Sequence, residues 1–288
     1  MKSLVLLFFI GTYSFGEGQL RDTIESKRIV VAHSIVAGSW SSSIIGLQNA
    51  WYKNAQSNHF HTFNDLANWL QMDKVGHFYT TAKLSSLTSN WYKWAGMHPK
   101  KAAITGTLIG FGYQTTIELF DGFSTNWGFS WSDMAANAVG GGLFLVQDLF
   151  WAEQRIIPKF SYHPTPYAAY RPSILGSNFQ ERILKDYNGQ TYWISFSPGQ
   201  IQRFKSIPKW VCLSFGYSVD QKLVGDQENY LGFQAQREWL FSLDIDFSQL
   251  KTSKKWVNTL LKHLNYIKFP FPTLSLKNGK IYGYGIYF

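Results

Sequence analysis

The sequence predicts an α+β chain: an N-terminal module of four helices in bundle-like succession, which could be embedded in a membrane, then a C-terminal β-rich region with an amphipathic helix. Three observations predict it. From residue 28 to 152 the residue pattern is helical, in four stretches. After Pro158 the texture changes, with Pro164, Pro166 and Pro172 in a Tyr-rich segment that cannot continue a helix. Beyond residue 191, runs of residues alternate apolar and polar as strands do. The chain therefore divides into a signal peptide over 1–16, a helical module over 28–157, a Pro- and Tyr-rich connector over 158–190 and a β-rich region over 191–288.

At the N-terminus, Lys2 precedes the apolar run Leu4 to Ile10, and the small residues Gly11, Ser14 and Gly16 follow. This is the pattern of a secretory leader. At 1.5 Å per helical residue the run is too short for a hydrocarbon layer of about 30 Å, so a permanent anchor is the weaker reading. No cysteine follows the run, so the site of a bacterial lipid anchor is not expected.

The first helix, Arg28 to Trp51, is apolar and rich in small residues, with Ser39 to Ser43 interrupting it. The second begins after Thr62-Phe63-Asn64-Asp65, which supply cap residues, and runs through Asp73 and His77 towards Trp94. The third, Ala102 to Phe120, carries Gly106 and Gly110 four apart and no charge before Glu118. The fourth runs from Ser130 through Gly140-Gly141-Gly142 to Trp151. A glycine inside a helix costs about 1 kcal/mol relative to alanine, so these need compensation from close approach between helices. Such crossings are commonest in membranes. An acidic residue in each later helix argues against simple spanning, at roughly 2.5–3.5 kcal/mol per charge at a bilayer centre.

In the β-rich region, Thr191 to Ser197, Lys209 to Val219, Trp239 to Phe247 and Ile281 to Phe288 alternate. Leu243, Ile245 and Phe247 fall on one face and Asp244 and Asp246 on the other, which predicts one buried and one wet side. The last run puts Tyr282, Tyr284, Ile286 and Phe288 on one face and ends on an aromatic residue, as outer-membrane barrel strands often do. An edge strand of a small soluble sheet fits equally. Trp256 to Ile267 reads as the amphipathic helix, followed by Pro270 and Pro272.

Composition bounds the function. With 18% aromatic and 16% charged residues in 288, neither a disordered chain nor a charged coiled coil is possible. The single cysteine, Cys212, cannot form an intramolecular disulfide or supply a zinc knuckle or iron–sulfur site. It reads as a small core residue. The net charge of +9 comes from scattered Lys and Arg with no basic stripe, which argues against nucleic acid. A basic, Trp- and Tyr-rich exported protein fits anionic headgroups, although the charge could serve solubility alone. No dinucleotide loop, phosphate loop or nucleophile elbow is present.

Three helices each place a polar pair on one face: Asp73 with His77, Glu118 with Asp121, and Asp133 with Asn137. If the three faces converge, carboxylates, an imidazole and an amide share an enclosure, with Lys74 nearby. Burying them demands pairing, protonation or a bound cation. Oxygen and imidazole donors without a soft ligand could hold a divalent metal, with His77, Glu118, Asp121 and Asp133 as ligands. His77 beside Asp73 could equally act as a general base. The structural alternatives are concrete: Ser130 to Asp133 fits a capping box, Asp121-Gly122 a turn, Asp73-Lys74 an ion pair, and His77 a hydrogen-bonded core residue.

Taken in order, Asp73-Lys74-Val75-Gly76-His77-Phe78, Glu118-Leu119-Phe120-Asp121, Gly128-Phe129-Ser130-Trp131-Ser132-Asp133-Met134-Ala135 and Val139-Gly140 resemble the YfiM-like family of predicted periplasmic lipoproteins. More distantly, the succession of an Asp-Lys-x-x-His-Phe box, a Glu helix and an Asp-x-x-x-Asn helix is similar to VanZ-like membrane proteins, linked to glycopeptide resistance. The resemblance covers residues 65–145. It implies an envelope module built around Asp73, His77, Glu118, Asp121 and Asp133, and supplies no reaction. The chain departs from the lipoprotein pattern in lacking the lipidated cysteine. Tyr192-Trp193 and Leu243-Asp244-Ile245-Asp246 resemble the extension in longer, Bacteroidota-type members, which implies the outer membrane or periplasm.

The expectation is an exported, membrane-associated envelope protein with a structural or accessory role, whose partners are membrane lipid or envelope proteins and not nucleic acid. Two alternatives stay open. One is a metal-assisted or acid–base hydrolase of a lipid or cell-wall component, with His77 as base or ligand, Asp73 orienting it, and Glu118, Asp121 and Asp133 holding a divalent cation. The other is a lipid-binding module in which Trp127, Trp131 and Trp151 contact lipid.

Overall fold

The computed structural model describes residues 26–52 and 55–288. The expected signal peptide over 1–16 lies outside the described residues. Those residues form an α+β fold, with an N-terminal helical region and a six-stranded antiparallel sheet after it. They divide into two compact units. A helical unit gathers the described residues through Asn64 with Thr81–Phe150 and Thr252–Thr259, and a sheet unit gathers Asp65–Thr80, Trp151–Lys251 and Leu260–Phe288.

The helical unit contains α1 (Ser26–Leu47), most of α2 (Met72–Trp94), α3 (Pro99–Gly122) and nearly all of α4 (Trp131–Trp151). Its apolar core is small: Ala32, Tyr92, Ala95, Met97 and Ala102, with Ile29, Val36, Trp94 and Ile109 packed against them. Elsewhere α2 and α3 meet through small residues. A Cβ on Gly106 would lie 2.6 Å from both Ser85 O and Ser89 N, and one on Gly110 2.9 Å from Ser85 N. The backbones touch, and only glycine allows it. This is the compensation the sequence demanded for glycines inside a helix. In the Gly140 to Gly142 run the same reason reaches only part way: a Cβ on Gly141 would meet Thr107 Cγ2 at 3.2 Å, whereas Gly142 faces open space.

α2 begins later than the cap residues at 62–65 suggest. Trp69, Leu70 and Gln71 all have positive φ, a left-handed turn that no helix can run through. Such residues cost about 1–3 kcal/mol each and need fixing from outside. Trp69 N–H donates to Gly225 O at 2.8 Å, the Tyr217 hydroxyl donates to Leu70 O, and Arg237 donates to Gln71 Oε1 at 2.8 Å.

In the sheet unit, β1 (Ile156–Tyr162), β2 (Gln190–Phe196), β3 (Val211–Asp220), β6 (Gln236–Ile245), β7 (Phe271–Lys277) and β8 (Lys280–Tyr287) pair in that order, all antiparallel. The short hairpin β4 (Asn229–Tyr230) and β5 (Phe233–Gln234) sits in the connection before β6. Helices α5 (Pro172–Leu175) and α6 (Phe179–Lys185) fall within the stretch read as connector, as does most of β1, while α7 (Lys255–Leu264) is the expected amphipathic helix. Pro158 is tolerated because β1 is the first strand of the sheet, where a missing N–H breaks no central ladder. Phe160, on the free side of β1, donates its N–H to Tyr266 O at 3.1 Å and accepts from Lys268 N–H at 2.8 Å.

The sheet curls on itself. The Thr191 and Tyr287 hydroxyls lie 3.2 Å apart and the Trp193 and Tyr287 rings 5.9 Å apart, although three strands separate β2 from β8 in the sheet. A β-bulge between Phe271 and Thr273 also splits the face expected for the last strand. Tyr287 turns inward and is buried, while Ile286 and Phe288 are exposed.

Candidate functional site

The sequence-predicted residues fall into two groups. Asp73 and His77 belong to the sheet unit, and Glu118, Asp121 and Asp133 to the helical unit. Within the first group, Asp73 occupies the first turn of α2, where a carboxylate complements the helix dipole. His77 follows one turn later, its Nε2 3.8 Å from Asp73 Oδ1. That separation lies beyond hydrogen-bond reach, and it is an ion pair only when the imidazole is protonated. The Tyr187 hydroxyl donates to Asp73 Oδ1 at 3.0 Å, and Lys74 Nζ lies 3.2 Å from Asp73 Oδ2 and 2.6 Å from Asp65 Oδ2. The ion pair offered as the structural alternative for Asp73 is thus present, and it coexists with the histidine contact. The next turn continues the packing: a Cβ on Gly76 would touch the Tyr192 hydroxyl at 3.0 Å, and Tyr79 donates to Tyr266 O at 2.8 Å.

Within the second group, Ser130 joins Glu118 to Asp133. Its N–H donates to Glu118 Oε2 at 3.0 Å, and its Oγ accepts from Asp133 N–H at 3.1 Å, capping α4. A turn further along α4, Asn137 Oδ1 accepts from Thr81 Oγ1 at 2.8 Å, with Gln114 Nε2 at 3.5 Å. All of these side chains are buried. Asp121, at the end of α3, accepts from the Tyr52 hydroxyl at 2.7 Å. The helical unit therefore encloses a polar core of carboxylate, amide and hydroxyl groups. Its outer side is the reverse: Val139 is 62% exposed and Phe150 78%, with Leu108, Trp131 and Val146 also exposed. Trp127 and Trp151, expected as lipid contacts together with Trp131, are exposed too.

The sheet repeats this inversion, against the side assignment expected from sequence. Leu243 is 49% exposed and Asp244 2%, so the carboxylate faces inward and the apolar residue outward. Alternation fixes the period of a strand but not which side is buried. Here the inner side is fixed by polar partners. Lys159 Nζ lies 2.8 Å from Asp244 Oδ2 with both side chains fully enclosed, and it also donates to Ile245 O at 2.7 Å. Ser195 Oγ donates to Asp244 Oδ2 at 2.7 Å. Lys268 Nζ donates to Phe269 O at 2.8 Å and to Ser242 Oγ at 3.2 Å, and lies 4.9 Å from the Trp193 ring. Asp246 Oδ1 accepts from Asn265 Nδ2 at 2.7 Å, and the Ser275 hydroxyl donates to Glu238. Cys212 is buried on this face, paired in register with Asp244.

None of this inner network was among the candidate residues. Its signal was available in Ser195, Ser197, Ser214, Ser218 and Ser242, which recur at even spacing within predicted strands.

Among known families, one described as "Predicted periplasmic lipoprotein (DUF2279)" matches residues 62–147, a span that starts before α2 and ends within α4. The match contains all five candidate residues and stops short of the sheet. It supports an exported, periplasmic protein. Comparison with curated proteins and with solved structures gives no match.

Proposed function

We propose that the protein is a membrane-associated component of the cell envelope, at the outer membrane or in the periplasm beside it, with a structural or accessory role and its helical unit seated in lipid. The observation carrying this reading is the burial order of α3 and α4: Gln114, Glu118, Asp133, Asn137 and Gln147 lie inside while Leu108, Val139, Val146 and Phe150 face out. In water that order is unfavourable, since exposed apolar surface forfeits about 25 cal/mol per Å² and a buried carboxylate is costly. In lipid the outward side chains are solvated by acyl chains, and helices associate through small residues and internal hydrogen bonds. Among the described residues, Lys27–Leu47 is the helix long and apolar enough to cross a membrane. Fractionation of cells expressing the full chain tests the reading. The protein is expected in the membrane pellet, resistant to high salt and alkaline carbonate and released by detergent. Recovery in the soluble periplasmic fraction contradicts it.

The contact of Asp73 with His77 favours a second reading, an acid–base or metal-assisted hydrolase of a lipid or cell-wall component. In it His77 is base or ligand, Asp73 orients it, and Glu118, Asp121 and Asp133 serve as cation ligands. Metal analysis of the purified protein and of folded His77→Ala and Glu118→Ala variants decides it. A stoichiometric divalent cation lost in both variants supports the metal-assisted form. Absence of a cation in the unsubstituted protein removes that form, and unfolding of both variants favours a structural polar network.

A further inference from the structure

The outward face of the sheet carries apolar side chains in cross-strand rows. Tyr217, Trp239 and Leu276 form one row, and Phe215, Phe241 and Leu274 the next. Trp239, Phe241, Leu243, Leu274 and Leu276 are all exposed, and no charged residue interrupts the outward positions of β6 from Trp239 to Ile245. Behind them the inner face is polar and internally bonded through Lys159, Asp244, Ser195 and Glu238. A sheet in water places these two chemistries the other way round. At Phe160 and Tyr192 the outer side of β1 and β2 is covered within the unit, where the Tyr79 ring packs tilted against both.

We propose that the outward face of β3, β6 and β7 is embedded in the hydrocarbon of a lipid bilayer, with acyl chains as its partner. The proposal rests on the membrane-associated reading above and assigns a second surface to it. Three features point to lipid as the occupant. First, apolar-out and polar-in alternation is what strands need when lipid surrounds them and their interior is shielded. Second, the dimensions agree. β3 and β6 have 10 residues each. At about 3.3 Å per residue and a tilt near 45° such strands cover roughly 23 Å, and the apolar outward run Trp239–Ile245 of β6 covers roughly 16 Å of it, which fits within the ~25 Å apolar band of membrane sheets. Third, the outward row of β6 ends at one rim in the exposed Arg237, where an anionic headgroup would lie. The curl that brings Tyr287 to Thr191, and the hydrogen bonds that Phe160 of β1 makes to Tyr266 O and accepts from Lys268 N–H, limit the unpaired backbone that lipid would meet.

Site-directed fluorescence on the full chain tests this. Cys212 is the single cysteine, so Cys212→Ala gives a background into which Leu243→Cys, Leu274→Cys or the control Lys251→Cys is placed. Should Cys212→Ala fail to fold, the native background serves, since Cys212 is fully buried and its failure to label can be checked. Each variant is labelled with a nitrobenzoxadiazole fluorophore and reconstituted in phosphatidylethanolamine–phosphatidylglycerol vesicles. Labels at 243 and 274 are expected to be quenched several-fold more by doxyl acyl chains than the control, and to be shielded from aqueous iodide. Iodide quenching equal to the control, in protein that still floats with the vesicles, overturns the proposal and leaves the helical unit alone in lipid. Protein that does not float removes the membrane reading and this proposal together. Shielding from both quenchers with a disulfide between copies at residue 274 assigns the face to a second copy and equally overturns it.

Discussion

Lys159 and Asp244 pair at 2.8 Å on the inner side of the sheet with neither side chain exposed, one residue away from an outward-facing Leu243. Two charges enclosed while a leucine meets the surroundings is the reverse of a water-soluble sheet. The same reversal appears in α4, where Asn137 is buried and Val139 exposed.

Removing one charge of the pair is expected to cost far more than removing both. Asp244→Leu leaves Lys159 enclosed without its counter-ion and should destabilise by about 3–5 kcal/mol, while Lys159→Met with Asp244→Leu should return most of that. Denaturant unfolding in detergent micelles reads both. Equal losses in the single and double variants would show that the ion pair does not set the orientation of the strands.

Gly106 and Gly142 separate close packing from mere helix propensity. Gly106→Ala places a Cβ against backbone at 2.6 Å and should destabilise by about 1–3 kcal/mol. Gly142→Ala meets nothing within 4 Å and should stabilise by up to about 1 kcal/mol. Thermal midpoints of the two variants should therefore move in opposite directions.

At the start of α4, Ser130→Ala removes the cap on Asp133 N–H and is expected to cost about 1 kcal/mol. Glu118→Ala removes the acceptor of the buried Ser130 N–H, at about 1–3 kcal/mol. Glu118→Gln keeps an oxygen there and should recover part of the loss. Unfolding midpoints of the three variants give the order.

The pH response has a defined local source outside the strands. Glu181 accepts from Ser177 N–H at 3.0 Å and from Asn178 Nδ2 at 2.9 Å, while its own N–H donates to Asn178 Oδ1 at 3.0 Å, a reciprocal cap on α6. The Ser177 N–H bond is the main cause that holds its carboxyl below the ordinary glutamate range. A lowered folded-state value means that its stabilisation is complete above the unfolded value and is lost as pH falls through the folded one. Midpoints measured on acidification should therefore fall less in Glu181→Gln than in the unsubstituted protein.

Much of the fold is legible in the sequence because period is a local property. The runs at 191–197, 209–219, 239–247 and 281–288 fall on β2, β3, β6 and β8, and the polar pairs lie on helices as expected. β1 and β7 were hidden by Pro158 and Pro272, which read as breakers until their place in the sheet is known. The left-handed turn at 69–71 leaves no trace in residue type, since Trp69 and Leu70 are held there by Gly225 and Tyr217, far along the chain. Which side Leu243 and Asp244 each take is not legible in the sequence. Alternation is identical whichever side is buried, and only partners such as Lys159 fix it.

Reconstitution with a lipid-partitioning diazirine, followed by peptide mass spectrometry, tests inverted burial most directly. Carbene adducts are predicted on peptides holding Leu108, Val139 and Phe150 and on those holding Phe241, Leu243 and Leu274, and at far lower yield on the control loop around Lys251. Adducts on the control loop at the same yield as on those six positions, or none on any of them, would contradict it.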